Sequence, residues 1–136
     1  MSATTNTIRE LIDHQATERP DAPYALATES ALRITYGELA QSCRRIAALL
    51  QVRGAGPGDT VSVVMPNGLN TLRVLLGALH GGRCVNPVNL LSQPEQMRYV
   101  LAHSDCKAIV VAPDWEERVR SLLGNAGETA AFCQIV

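Results

Sequence analysis

Short apolar segments alternate with helical segments over the second half of the chain, and this alternation constrains the fold more than any other feature. Strands are predicted near 61–65, 84–88 and 107–111, and the run AFCQIV at 131–136 resembles a fourth. A helix-length segment separates each pair. Because such strand–helix–strand units form right-handed crossovers between parallel strands, we expect an α/β fold with an open, mostly parallel sheet and helices on both faces.

The first part of the chain predicts a helix and a β-hairpin before the sheet. Thr7 and Glu10 have the spacing of a capping box, so a helix is expected from Ile8 to the breaker ERPDAP. Two β-like runs around a polar centre at 28–30 predict a hairpin over 24–35. The chain, residues 1–136, is thus expected to form a single α/β unit.

Further local signals mark where the other helices begin and end. Thr35 and Glu38 form a second capping box, and the helix after them is expected to stop at Gly54. A third box is predicted from Ser92 and Glu95. The last helix is expected to use Asp114 as its cap and to bury four apolar side chains: Trp115, Val119, Leu122 and Leu123.

Composition excludes several functional classes. The net charge is −1 and the sequence has no basic stripe, so we expect no nucleic-acid partner. No segment approaches the roughly 18 apolar residues of a membrane span, so none is expected. The first residues, MSATTNTIRELIDHQ, contain no apolar run of signal-peptide length, and we therefore expect a cytoplasmic protein.

The residues that most often carry chemistry are scattered. The cysteines are expected to be buried, reduced thiols, and the histidines to pack at the surface or at helix ends. The chain has eleven arginines and one lysine, Lys107, which is expected at the start of a strand with its ammonium group in water. The residues in question are Cys43, Cys84, Cys106 and Cys133, and His14, His80 and His103.

The glycine-rich run GAGPGD at 54–59 is a poor phosphate-binding loop. A phosphate loop follows a strand and begins a helix, whereas this run follows a helix and precedes a strand. It is interpreted as a helix stop and turn. Ligands of open parallel sheets bind beyond the carboxyl ends of the strands, here at 66–68, 89–91 and 113–114. No catalytic, cofactor-binding or metal-binding residue is predicted there or elsewhere.

An ordered series of weak motifs nevertheless resembles the adenylate-forming acyl-CoA synthetases, the AMP-dependent synthetases and ligases. The run at 34–68 matches the opening of these proteins, in which a TY-x-EL helix leads through a glycine turn to GD-x-V and a strand ending in Pro-Asn. A Pro-x-Asn segment and a Pro-Glu helix start follow. The matching positions are Thr35, Tyr36, Glu38, Leu39, Gly58, Asp59, Val61, Pro66, Asn67, Pro87, Asn89, Pro94 and Glu95.

The resemblance implies that the chain is the amino-terminal portion of an ATP-dependent carboxylic acid–CoA ligase, a partial subdomain of a larger adenylate-forming domain. In that family a carboxylate attacks ATP to give an acyl-adenylate, and the CoA thiol then displaces AMP. ATP, magnesium and CoA are implied for the parent enzyme, and none is expected to bind specifically to this chain. The family's phosphate loop, AMP and magnesium segment, ribose-binding Asp and mobile-domain lysine match no stretch here.

The resemblance leaves the acyl substrate and the acceptor open. Some CoA-forming members place an arginine, which can meet a CoA phosphate, where this chain has Leu91. Arg83 or Arg98 is a candidate to replace it. Fatty and aryl acids are equally compatible substrates. The alternative function is a stand-alone small α/β module that binds a nucleotide or a protein without catalysis.

The resemblance also implies partners. The rest of the parent chain is expected to cover the last strand and nearby helix faces. Without it, an open sheet edge and bare apolar surface favour association with a second copy, so a homodimer or larger assembly is expected.

Overall fold

The computed structural model describes residues 7–124 and 131–133. The helices are α1 (Ile8–Glu18), α2 (Tyr36–Val52), α3 (Leu69–His80), α4 (Pro94–His103) and α5 (Pro113–Leu123). The strands are β1 (Pro23–Ala27), β2 (Leu32–Thr35), β3 (Thr60–Val64), β4 (Cys84–Pro87), β5 (Ala108–Val111) and β6 (Ala131–Cys133). Within these described residues, no helix is both long and apolar enough to cross a bilayer.

Four strands form one parallel sheet in the order β4-β3-β5-β6. The chain starts with β3 in the middle, moves to one side for β4, and crosses back over β3 for β5. This confirms the predicted parallel pairing. Each end of β3, β4 and β5 lies within one residue of its predicted position. The part of the fourth predicted strand at 134–136 lies outside the described residues.

Helices cover both faces of the sheet, as predicted. Helices α2 and α3 pack on one face, and α4 and α5 pack on the other. The first core contains Ile46, Leu50, Val61, Val63, Val74, Ala78, Ala108 and Val110. The second contains Val64, Met97, Leu101, Ile109, Val111, Val119 and Leu123. Alternate residues of β3 and β5 therefore enter different cores, as the two-residue period of a strand requires.

The predicted amino-terminal helix and hairpin are both present. Strands β1 and β2 pair antiparallel, with Ala27 opposite Leu32 at the turn. Helix α1 and the hairpin lie beside α2 and form a third core with it: Ile12, Ile34, Leu39, Ala40 and Cys43. The hairpin and α1 thus extend the helical layer on one face and add no strand to the sheet.

Two predicted caps are confirmed and two are wrong. Thr7 Oγ1 accepts a hydrogen bond from the Glu10 backbone at 3.1 Å, and Thr35 forms a complete capping box with Glu38. Helix α4, however, has Gln93 as its N-cap, and α5 has Ala112, each without a side-chain cap. In both cases a proline occupies the first helical position, where its fixed φ and missing N–H are favourable. Asp114 therefore lies inside the first turn.

The glycine-rich run is a turn between α2 and β3, as interpreted. Gly54 has φ +91°, which terminates α2, and Gly58 has φ +87°. Arg83 stabilises this turn through hydrogen bonds. Its guanidinium donates to the carbonyls of Ala47, Ala55 and Gly81 and to the side chain of Gln51. Arg83 is a buried charge whose hydrogen bonds satisfy the carbonyls at the end of α2.

The close crossing of α2 and α3 gives a stability prediction. A Cβ atom at Gly77 would lie 2.8 Å from the Cβ of Ile46, so Gly77→Ala must push the helices apart. Part of that cost is offset by the better helix propensity of alanine. We expect Gly77→Ala to lower the free energy of unfolding by about 1–2 kcal/mol, measured by urea denaturation.

Gly68→Ala is the matched control for this substitution. Gly68 has an extended backbone with φ 161°, and a Cβ there meets nothing within 4 Å. We expect its effect to stay within about 0.5 kcal/mol. Equal effects of the two substitutions would contradict the close packing of α2 on α3.

Candidate functional site

The carboxyl edge of the sheet brings together the three loops singled out by sequence. Strands β3, β4 and β5 are parallel, so the loops after them, at 65–68, 88–93 and 112–113, lie along the same edge. The three helices α3, α4 and α5 begin there. In open parallel sheets this edge is where ligands bind, so it is the candidate site of the chain.

The first loop leads from β3 into α3. Asn67 and Gly68 are exposed, and Gly68 is the N-cap without a side chain to cap the helix. The hydroxyl of Thr71 donates to the carbonyl of Pro66, which ties the first turn of α3 back to the loop. The exposed N–H groups at the start of α3 are therefore presented on a fixed turn.

The second loop, between β4 and α4, is held by Asn89. The backbone N–H of Leu91 donates to Asn89 Oδ1 at 3.0 Å, and the N–H of Ser92 donates to the Asn89 carbonyl at 3.1 Å. This is an Asx turn followed by a tight backbone turn. It projects Leu91 into solvent, where its side chain is 91% exposed.

The third loop, between β5 and α5, is short. The N–H of Ala112 donates to the Val64 carbonyl at 3.0 Å, which continues the sheet pairing past β5. Pro113 begins α5, and Asp114 is exposed in its first turn. Asp114 therefore places a carboxylate at the carboxyl edge, next to the third loop.

The electrostatics of the edge favour weak anion attraction. None of the three helices that begin there has a side-chain cap, so each presents free backbone N–H groups and the positive end of its dipole. Each such end stabilises a nearby negative charge by about 0.3–1 kcal/mol. This free energy is far smaller than the binding of a nucleoside triphosphate requires.

Two cations of the chain, Lys107 and Arg83, lie away from this edge. Lys107 is exposed directly before β5, at the opposite, amino edge of the sheet. Arg83 directly precedes β4, and its guanidinium is occupied by hydrogen bonds to carbonyl groups rather than available to a phosphate. Burial lowers the pKa of Arg83, while the charge of Asp59 acts in the opposite direction. Arg83 is therefore not placed to replace the arginine that some family members carry at the position of Leu91. Arg98 is exposed on α4.

The described residues contain no cluster of metal-ligating side chains. Across 7–124 and 131–133, no group of three or more His, Cys, Asp or Glu side chains is arranged to hold a metal.

A cleft beside the edge was missed by sequence reasoning. It has a volume of about 290 Å³ and lies between the hairpin turn and the start of α3. Its lining includes Thr28, Glu29, Asn67, Gly68 and Leu72. The polar centre of the hairpin was recognised in the sequence, but only the tertiary packing of the hairpin brings it next to α3.

The cysteines are only partly as predicted. Cys43 and Cys106 are buried and reduced, but Cys84 is exposed because β4 is an edge strand. The side chain of Cys133 lies outside the described residues. Burial, and less strongly the charge of Asp13, raises the pKa of Cys43 to about 11, with Arg44 acting in the opposite direction. A neutral buried thiol is not a nucleophile.

The Asx turn at Asn89 gives a prediction about the second loop. Asn89→Ala removes the acceptor of the Leu91 N–H, so this amide should exchange its hydrogen about fivefold faster, the equivalent of about 1 kcal/mol for one hydrogen bond. Amide exchange followed by NMR measures this. Asn67→Ala is the matched control, because Asn67 is exposed and its side chain has no hydrogen-bond partner among the described residues. An unchanged Leu91 rate in Asn89→Ala would contradict the turn.

Comparison with curated sequences finds long relatives. A sulfoacetate–CoA ligase of Cupriavidus necator is 43% identical over 122 residues, which cover 90% of this chain and 24% of that protein. The chain therefore spans about a quarter of the length of this relative.

Comparison with solved structures finds the same fold in two structures from Mycobacterium tuberculosis. The N-terminal domain of FACL13 matches 96% of this chain and 34% of its own, with a TM-score of 0.85 and 20% identity. A fatty acyl CoA synthetase matches 95% of this chain and 26% of its own, with a TM-score of 0.84 and 20% identity. The fold is that of the amino-terminal part of acyl-CoA ligases.

The sequence profile that describes AMP-binding enzymes matches residues 12–133, which is most of the chain. This match agrees with the ordered motifs from Thr35 to Glu95 and with the parallel sheet that they build. The chain belongs to the AMP-binding enzyme family.

Proposed function

We propose that this chain is the amino-terminal portion of an ATP-dependent carboxylic acid–CoA ligase and serves as scaffold for the parent's active site. The observation that carries the proposal is the 43% identity to a sulfoacetate–CoA ligase over 90% of this chain and only 24% of that protein. A family match of this extent, confined to one part of the relative, supports a shared activity whose catalytic elements lie beyond the matched part.

The chain itself contributes no catalytic, cofactor-binding or metal-binding residue in this proposal. Attack on the α-phosphate of ATP builds negative charge that must meet cations or oriented donors already in place. At the carboxyl edge the chain offers helix N-termini, while Lys107 and Arg83 precede their strands at the amino edge. ATP, magnesium and CoA are cofactors of the parent, held by residues outside this span.

The proposed substrate is a short carboxylic acid that carries a second negative group, with sulfoacetate as the first to test. The basis is sequence: identity to the sulfoacetate–CoA ligase is 43%, whereas identity to the fatty-acyl ligase structures is 20%. CoA is the proposed acceptor on the same basis. The proposal favours this substrate over the fatty and aryl acids that the motifs alone leave open.

The proposed partner is the remainder of the parent chain, in the cytoplasm. Apolar side chains of α1 and the hairpin line a surface groove of about 270 Å³, among them Ile8, Leu11 and Tyr24. Leu26 and Leu32 of the hairpin are also exposed. Apolar surface of this extent favours burial against another part of the parent or against a second copy.

The enzymatic proposal has a direct test in two arms. The 136-residue chain, mixed with ATP, magnesium and a panel of acids that includes sulfoacetate, should release no pyrophosphate above a heat-inactivated control. The second arm is the gene itself, in which the reading frame should continue past Val136 into a glycine-rich phosphate loop. The extended protein should then release pyrophosphate with sulfoacetate.

The two arms fail differently. Turnover by the 136-residue chain would mean that it contains a site, which contradicts the scaffold role. A natural stop codon directly after Val136 would contradict the ligase and favour a small binding module. Turnover of the extended protein with fatty acids but not with sulfoacetate would overturn the substrate alone.

The exposed apolar surface gives a prediction about association. Expressed by itself, the chain should sediment as a homodimer or a larger assembly at high micromolar concentration, because apolar side chains such as Leu26 and Leu32 gain from burial. Sedimentation velocity over a range of concentrations measures this. A monomer throughout that range would contradict the prediction. Val52→Ser, an exposed position at the opposite end of α2 from the hairpin, is the control and should leave the assembly unchanged.

A further inference from the structure

Helix α1 is tied to the rest of the chain firmly at its carboxyl end. Directly after it, the N–H of Tyr36 donates to the Ala22 carbonyl at 3.0 Å and the N–H of Gly37 donates to the Pro20 carbonyl at 2.9 Å. The guanidinium of Arg19 lies 5.2 Å from the ring centre of Tyr36. These bonds anchor residues 19–22 to the start of α2.

The body of α1 is held far more lightly. Ile12 is the one buried side chain of the helix, while Ile8 and Leu11, on the same apolar face, are 41% and 49% exposed. A groove between α1 and the hairpin leaves the outer part of this face open. The body of the helix is therefore held by Ile12 and, less deeply, by Ala16 in the third core.

A polar contact supplements that burial in the middle of the helix. His80, the last residue of α3, is 5% exposed, and its Nε2 lies 2.8 Å from Oδ1 of Asp13. The Asp13 side chain is 44% exposed, so water can replace the imidazole as its partner. Loss of this contact would leave a buried imidazole with an unpaired nitrogen, which is unfavourable. The pair therefore acts as a latch between α1 and α3.

The contact covers a buried thiol. Cys43 of α2 is fully buried in the core that Ile12 closes, together with Ile34 and Leu39. The carboxylate of Asp13 is close enough to disfavour the Cys43 thiolate. The same core is contacted by Leu69 and Leu76 of α3, so α1 also supports the helix that begins at the carboxyl edge of the sheet.

We propose that α1 is a strap that is hinged at residues 19–22 and latched by the Asp13–His80 pair, and that its release uncovers Cys43 without unfolding the sheet. The hinge is the set of bonds to the start of α2, and the latch is the single polar contact to α3. Release would also remove support from α3, whose first turn forms part of the candidate site. The strap thus couples the packing of α1 to the position of α3, which begins at the carboxyl edge.

Thiol labelling tests the strap in the 136-residue chain. Cys84→Ser and Cys133→Ser leave Cys43 under α1 and Cys106 in the core of α4 and α5, and a small maleimide with peptide mass spectrometry reports each thiol separately. Asp13→Ala and, separately, His80→Leu remove the polar contact and should raise the labelling rate of Cys43 about tenfold, the equivalent of about 1.4 kcal/mol. The rate of Cys106 should stay unchanged.

Two controls make the outcome decisive. Glu116→Gln weakens the Glu116–Arg120 ion pair on α5 and should leave the Cys43 rate unchanged. In the protein with native Asp13 and His80, Cys43 should become reactive at lower urea concentrations than Cys106. Equal increases at both cysteines, or an unchanged Cys43 rate in both latch variants, would overturn the proposal.

Discussion

The burial of β3 on both faces is the constraint on which the rest of the structure depends. Residues 61–64 of this strand are all buried, and neighbours pair with it on each side. A strand in this position needs helices above and below it, because its side chains alternate between the two faces. It also needs every crossover to return to the same end of the sheet. The common edge at which α3, α4 and α5 begin follows directly from these requirements.

Local signals in the sequence were sufficient where a single residue controls the geometry. Thr35 and Glu38 predict the start of α2 because a capping box needs only those two side chains and the backbone between them. The third box failed because Pro94 takes the first helical position and moves the N-cap to Gln93. Spacing alone contains no information about which of two adjacent residues becomes the cap.

Tertiary contacts between distant residues could not be predicted. Asp13 and His80 are 67 positions apart, and neither has a motif around it. In the sequence, Arg83 looks like an ordinary surface cation. The glycine turn after α2 leaves carbonyl groups that need a hydrogen-bond donor, and the Arg83 guanidinium supplies it. The loops of the candidate edge, by contrast, were predicted from topology, because the ends of parallel strands coincide whatever their side chains are.

The distribution of charge at the carboxyl edge is consistent with the proposed scaffold role. The helix N-termini there carry the positive end of the helix dipole, and their N–H groups lack side-chain caps that would compete with a ligand. In the proposed scaffold role, the carboxylates and cations that chemistry needs come from other parts of the parent. An edge of this kind is suited to be one wall of a larger site: it supplies rigid turns at Asn89 and Pro66, whose hydrogen bonds fix the backbone before any ligand arrives. Rigid positioning of this sort lowers the entropic cost that a complete active site must meet.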